Sequence, residues 1–233
     1  GAALGDDNAD IRITGLRIAR ERGHDVIPLV TQLVGDPSAA VRRECAIALR
    51  HNDSPAAPAL WAKLAQQHDG ADRWYLEALG IALDRQQDKF FGAWLEAVGS
   101  EWDTPAGRDI VWRSRSKKTP DLLVKILLDK KTKEADKPRY IRALDFQSGP
   151  EKNAALLNLP GRDGDEPGWV GAPGTGAIPL PADLVRDLVR RASEQGVAEL
   201  KRLYLDRSGR LVAMESTART FPAGLADLLT TRD

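Results

Sequence analysis

The sequence predicts an all-α fold, a right-handed α-solenoid of stacked helix pairs (an alpha-alpha superhelix). Two observations carry that expectation. Ile11-Arg12-Ile13-Thr14-Gly15-Leu16-Arg17-Ile18-Ala19-Arg20 aligns with Val41-Arg42-Arg43-Glu44-Cys45-Ala46-Ile47-Ala48-Leu49-Arg50 at a spacing of 30 residues, and residues 77–82 align with 44–49 at a spacing of 33. Self-similarity at that period marks an array in which each repeat buries its apolar face only against its neighbours. Between the repeats, Gly, Pro and Asp recur where one helix must stop and the next begin.

The elements follow in order. Asp7 or Asn8 caps a first helix running to about Arg22, whose apolar stripe is Ile11, Leu16, Ile18 and Ala19. Gly23 ends it, and a second helix spans 25–34. Gly35-Asp36-Pro37-Ser38 turns the chain into the second repeat, with proline at a position where its missing amide hydrogen costs nothing. That repeat pairs 38–51 with 55–68; the third pairs 71–84 with 87–98. Helices are expected again at 106–115, 120–129, 137–147 and 150–159, the fourth repeat being the most degraded. Residues 1–159 are therefore an array of about five helix pairs. Residues 160–181 hold six Gly and five Pro in 22 positions, which excludes a helix or central strand and predicts a loop or linker. Residues 182–233 are expected to form a helical C-terminal cap, with helices at 181–195, 197–206 and 221–229 and a turn at 207–210. Residues 211–215 fit either a strand or a helix start.

Asp36-Pro37 followed by Val41-Arg42-Arg43 and Ala46 to Leu49 resembles HEAT-type repeats, whose units often read D-P-x-x-x-V-R-x-x-A-x-x-x-L. Asp10-Ile11-Arg12, residues 43–50, Asp109-Ile110-Val111-Trp112-Arg113 and residues 139–146 are similar to the helical segment of large exported bacterial proteins. Those proteins join a sugar-dehydrogenase-like propeller, HEAT-like repeats and a haem-binding C-x-x-C-H domain. The resemblance covers about residues 10–159 and none of the propeller or haem residues. It implies an armadillo-like, non-enzymatic scaffold or protein-protein interaction module within a larger exported redox protein, periplasmic or extracellular. Its partners would be another protein or neighbouring domains of the same polypeptide. The N-terminal Gly1-Ala2-Ala3 fits a cut edge, consistent with a piece of a longer chain.

Composition narrows the chemistry. Basic and acidic residues balance at 34 each, so the overall charge favours neither nucleic acid nor an anionic membrane. The short apolar runs leave no segment to span a bilayer. One cysteine, Cys45, rules out an internal disulfide, a Cys-based zinc site and C-x-x-C-H haem attachment, and its apolar setting predicts a small buried hydrophobe. No phosphate loop, nucleophile elbow or H-E-x-x-H motif occurs, so no catalytic residue, metal ligand or cofactor is expected. His24, His51 and His68 fall near helix ends and are expected at the surface. Arg162 to Glu166 brings oxygen ligands together without calcium-loop spacing.

One asymmetry stands out. Residues 108–142 hold twelve basic and five acidic side chains, a local charge of +7. The expected binding surface is Arg113, Arg115, Lys117 and Lys118, with Arg139 and Arg142, docking an anionic partner. The alternative is a DNA-binding or DNA-processing protein like the HEAT-like glycosylases, drafting Trp112 with Asp109 and Arg113, or Trp74 with Asp72. Neutral net charge disfavours it. Most of the six tryptophans are expected to fill gaps between helices, Trp102 and Trp169 excepted.

Overall fold

The computed structural model describes residues 2–157 and the short segments 168–171, 177–180, 190–191, 194–195, 203–205 and 211–214. The chain divides into two compact units, residues 1–119 and 120–233.

The first unit is an α-solenoid. A 3-10 turn at Ala2–Gly5 leads into α1 (Ala9–Glu21), α2 (Ile27–Leu33), α3 (Ala39–Ala48), α4 (Ala57–Ala65), α5 (Arg73–Ala82), α6 (Gln87–Val98) and α7 (Pro105–Arg113), with a second 3-10 turn at Gly99–Trp102 before α7. Helices α1, α3, α5 and α7 pack side by side in one layer, and α2, α4 and α6 form the other. Leu16, Val30, Leu49, Leu64, Phe90 and Phe91 fill the space between them and lose all contact with solvent. Each such side chain contributes about 1.5–3 kcal/mol of burial. Trp61 stacks at a tilt on Phe90, 6.1 Å between centroids, and its indole Nε1 donates to the Leu79 carbonyl at 3.1 Å. The polar end of a buried ring is thereby satisfied.

Capping explains where the helices begin. The Asn8 side chain accepts from the Asp10 amide, Asp72 from the Tyr75 amide, and Thr104 from the Gly107 amide. Gly23, at φ 70°, takes the left-handed conformation that stops α1. At the turn before α3, Asp36 accepts the Ser38 amide and receives a two-pronged Arg12 guanidinium at 2.7 and 2.8 Å. Arg42 donates to the Asp36 and Pro37 carbonyls just as Arg12 donates to those of Asp6 and Asp7. The repeated arginine thus fastens the turn preceding its own helix.

The second unit opens with α8 (Thr119–Leu128), α9 (Lys137–Asp145) and α10 (Pro150–Leu157). Leu123, Ile126, Ala143 and Leu144 are its buried apolar anchors. Two corrections fall beyond α10. Inside the stretch expected as loop, β1 (Gly168–Gly171) pairs antiparallel with β2 (Ala177–Leu180). A two-stranded ribbon consists only of edges, so Pro179 is accommodated opposite Trp169 without breaking a central ladder. In the section expected as a helical cap, β3 (Leu203–Leu205) pairs with β4 (Leu211–Met214), replacing the end of the helix expected at 197–206. The helix expected at 221–229 and the Arg162–Glu166 oxygen cluster lie outside the described residues.

Candidate interaction surface

Where α7 ends, Ser114 swings into extended backbone at ψ 155° and opens a loop, residues 114–118, that is tied down at nearly every position. Its Oγ accepts from the Ser116 amide at 3.1 Å and from the Thr119 hydroxyl at 2.9 Å, and all three side chains are buried. Helix α6 supplies the platform beneath. Gln87 Oε1 accepts the Arg115 amide, while Asp88 Oδ1 accepts both the Ser116 hydroxyl and the Lys117 amide at 2.8 Å. Partial desolvation opposes the Asp88 charge, but the Lys117 amide, the Ser116 hydroxyl and the two lysine charges outweigh it and hold the carboxyl below its ordinary range.

The expected cations part company here. Lys117 and Lys118 are exposed and form no ion pair among the described residues. Arg113 turns back along the array: its Nε donates to Glu77 at 3.1 Å, and its guanidinium lies so close over Gly80 that a methyl group there would overlap it. Arg115 is half-buried and donates to the Trp112 and Ser114 carbonyls at 3.1 and 2.6 Å. Burial pushes its guanidinium down to about 10, leaving it charged at neutral pH. Arg139 and Arg142 belong to the second unit, both exposed, stacked over the Tyr140 and Phe146 rings at 5.7 and 5.4 Å; Arg142 also lies 3.3 Å from Asp145. Exposed Arg85 and Lys89, flanking the Gln87–Asp88 platform in sequence, were not picked out by charge counting because no sequence signal brings the 114–118 loop to α6.

Most other arginines of the first unit serve an inter-helix ladder. Arg17 and Arg20 of α1 converge on Glu44 of α3, which is 3% exposed. Arg43 reaches Asp72 and Arg50 reaches Asp84, which His51 also contacts at 2.8 Å.

The charged residues drafted for the nucleic-acid alternative are engaged elsewhere. Asp109 lies 3.2 Å from His68 Nε2, Arg113 pairs with Glu77, and Asp72 caps α5 while holding Arg43. His68 is not at the surface: its side chain is 1% exposed, stacked on Tyr75 at 6.2 Å. Trp74, expected among the packing tryptophans, is 70% exposed. Cys45 is buried as expected, and desolvation pushes its thiol up to about 12. Among the described residues no three His, Cys, Asp or Glu side chains converge as metal ligands, and no helix is long and apolar enough to cross a membrane.

A family model of HEAT repeats matches residues 1–80, the part of the solenoid from α1 through most of α5. No curated protein and no solved structure matches the chain. Residues 1–80 form a HEAT-like repeat segment.

Proposed function

We propose that the chain is a non-enzymatic scaffold or protein-protein interaction module that docks an acidic protein surface on the 114–118 loop. The observation that carries this is the pairing of rigidity with free charge. The loop is fixed by hydrogen bonds to Gln87 and Asp88, yet Lys117 and Lys118 are left without an ion pair among the described residues. A preorganised surface spends little conformational entropy on binding. Arg115, half-buried in the same loop, remains charged at neutral pH, Arg113 is paired with Glu77, and Arg139 and Arg142 are exposed cations of the second unit. The resemblance over residues 10–159 supports placing the module in a larger exported redox protein, with neighbouring domains of the same polypeptide as partners.

Poly-L-glutamate serves as probe, with a duplex oligonucleotide as comparison. Lys117→Glu/Lys118→Glu is expected to weaken polyglutamate binding about tenfold or more at low salt, with helical content unchanged, and wild-type binding should fall as salt is raised. Unchanged binding by the double variant discards the loop. Tighter binding to the duplex than to polyglutamate favours the nucleic-acid alternative instead.

A further inference from the structure

The lysine loop is one end of a row of cations along the start of α6. Lys118 reaches across to that helix: its Nζ lies 3.9 Å from the point where a Cβ on Gly92 would stand. Lys89 precedes Gly92 by three residues, one turn back on the same face. Arg85 stands two residues ahead of α6, in the turn from α5. All three cations are exposed, and none forms an ion pair among the described residues. At the helical rise per residue, the row is about 10 Å long.

The backbone at Arg85 is the second observation. It holds φ 61°, in the left-handed region that glycine occupies freely, as Gly23 does in the turn after α1. His51, also left-handed at φ 59°, uses its side chain to bond Asp84 within the array. The Arg85 side chain has no such bond among the described residues. A strained position whose side chain serves nothing inside the fold points to a use outside it.

The neighbouring acids define what fits. Asp84 is held by Arg50 and His51, and one oxygen of Asp88 accepts the Ser116 hydroxyl and the Lys117 amide. Asp88 still subtracts a charge, so the four cations Arg85, Lys89, Lys117 and Lys118 less that one carboxylate leave a net +3. Glu96, exposed and one turn beyond Gly92, ends the row with a negative charge. A duplex, charged along its whole length, would run on past Glu96. A short acidic run stops before it. In an extended chain, alternate side chains share one side about 6.6 Å apart, so two or three acids of one strand-like segment span the row.

We propose that the acidic partner is engaged through a short extended segment lying along the start of α6, its carboxylates on Arg85, Lys89 and Lys118. Glu96 sets where that segment stops. This rests on the reading of the 114–118 loop as an acidic docking site and adds Arg85 and Lys89 to it.

The probe is octaglutamate, titrated calorimetrically into the full chain at low salt. Arg85→Gly and Lys89→Gln should each weaken binding about twofold to fivefold, the reach of one exposed ion pair, and Glu96→Gln should strengthen it by a similar factor. Arg22→Gln, which removes an exposed cation from the turn after α1, should leave affinity unchanged. Arg85→Gly should keep or raise the urea midpoint, because glycine relieves the left-handed backbone. Transferred nuclear Overhauser effects should show the bound peptide extended. If Lys117→Glu/Lys118→Glu weakens binding while Arg85→Gly and Lys89→Gln act no more strongly than Arg22→Gln, the row along α6 is overturned and the loop stands. If the double lysine variant binds like the wild type, or the wild type does not bind, the loop reading falls and the row with it. A helical bound peptide, or a Glu96→Gln variant that gains no affinity, overturns the proposal too.

Discussion

Two helical glycines show how the neighbouring atom decides the outcome of one substitution. A methyl group at Gly107 would collide with the backbone carbonyl of Trp102, which cannot move without unwinding the 3-10 turn before α7. At Gly80 the obstacle is the far end of the Arg113 side chain. Gly107→Ala is therefore expected to lower unfolding stability by about 1–3 kcal/mol. In Gly80→Ala the arginine swings aside. The loss of a partly exposed ion pair, about 0.2–1 kcal/mol, is offset by about 1 kcal/mol of helix propensity. Urea titrations of both variants check this: Gly107→Ala must fall well below Gly80→Ala, and equal midpoints would contradict the steric argument. Cys45 was readable from its apolar neighbours, whereas the burial of His68 was not, because its partners Asp109 and Tyr75 lie 41 and seven residues away and only packing brings them together.

Between elements, the odd-numbered helices are linked by carboxylates held by arginine. The Arg12 hydrogen bond first, and then the Ser38 amide and the Arg12 and Arg42 charges, hold the Asp36 carboxyl below its usual range against some desolvation. Arg50 and His51 do the same for Asp84. A carboxyl depressed in the folded state contributes stability above its unfolded pKa and loses it as pH falls through the folded value. The solenoid should thus be fully stabilised at neutral pH and weaken below about pH 4, where unperturbed carboxylates begin to protonate. Urea midpoints at neutral and acid pH measure this, and Asp36→Asn should narrow the difference between them. A midpoint indifferent to acid would show that the ladder does not stabilise the fold. The helices of the array could be placed from sequence within about two residues at most ends, because apolar spacing and turn residues agree there. Of the ribbon strands only β4 was legible, as one of two alternatives for residues 211–215; β1, β2 and β3 were not, since strands of three or four residues carry too little periodicity to stand out.

At the scale of the molecule, a chain with no net charge keeps its basic residues for two different uses. Counting charges found the asymmetry of residues 108–142, but could not separate cations that tie the array together, such as Arg113, from those left to solvent, such as Lys117 and Lys118. That separation depends on Gly80, Glu77, Gln87 and Asp88, which lie 28–36 residues earlier in the chain than the positions they contact and on other helices. It leaves the first unit with an exposed pair of lysines in the loop after α7 and with Trp74 and Ile81 exposed on α5. The most direct measurement is an amide chemical-shift map of the full chain during titration with poly-L-glutamate at low salt. The expected result is saturable movement of the amides of Arg115, Ser116, Lys117, Lys118 and Lys89, with those of Trp74 and Ile81 still. Shifts spread evenly over exposed lysines, or concentrated away from the 114–118 loop, would contradict the account.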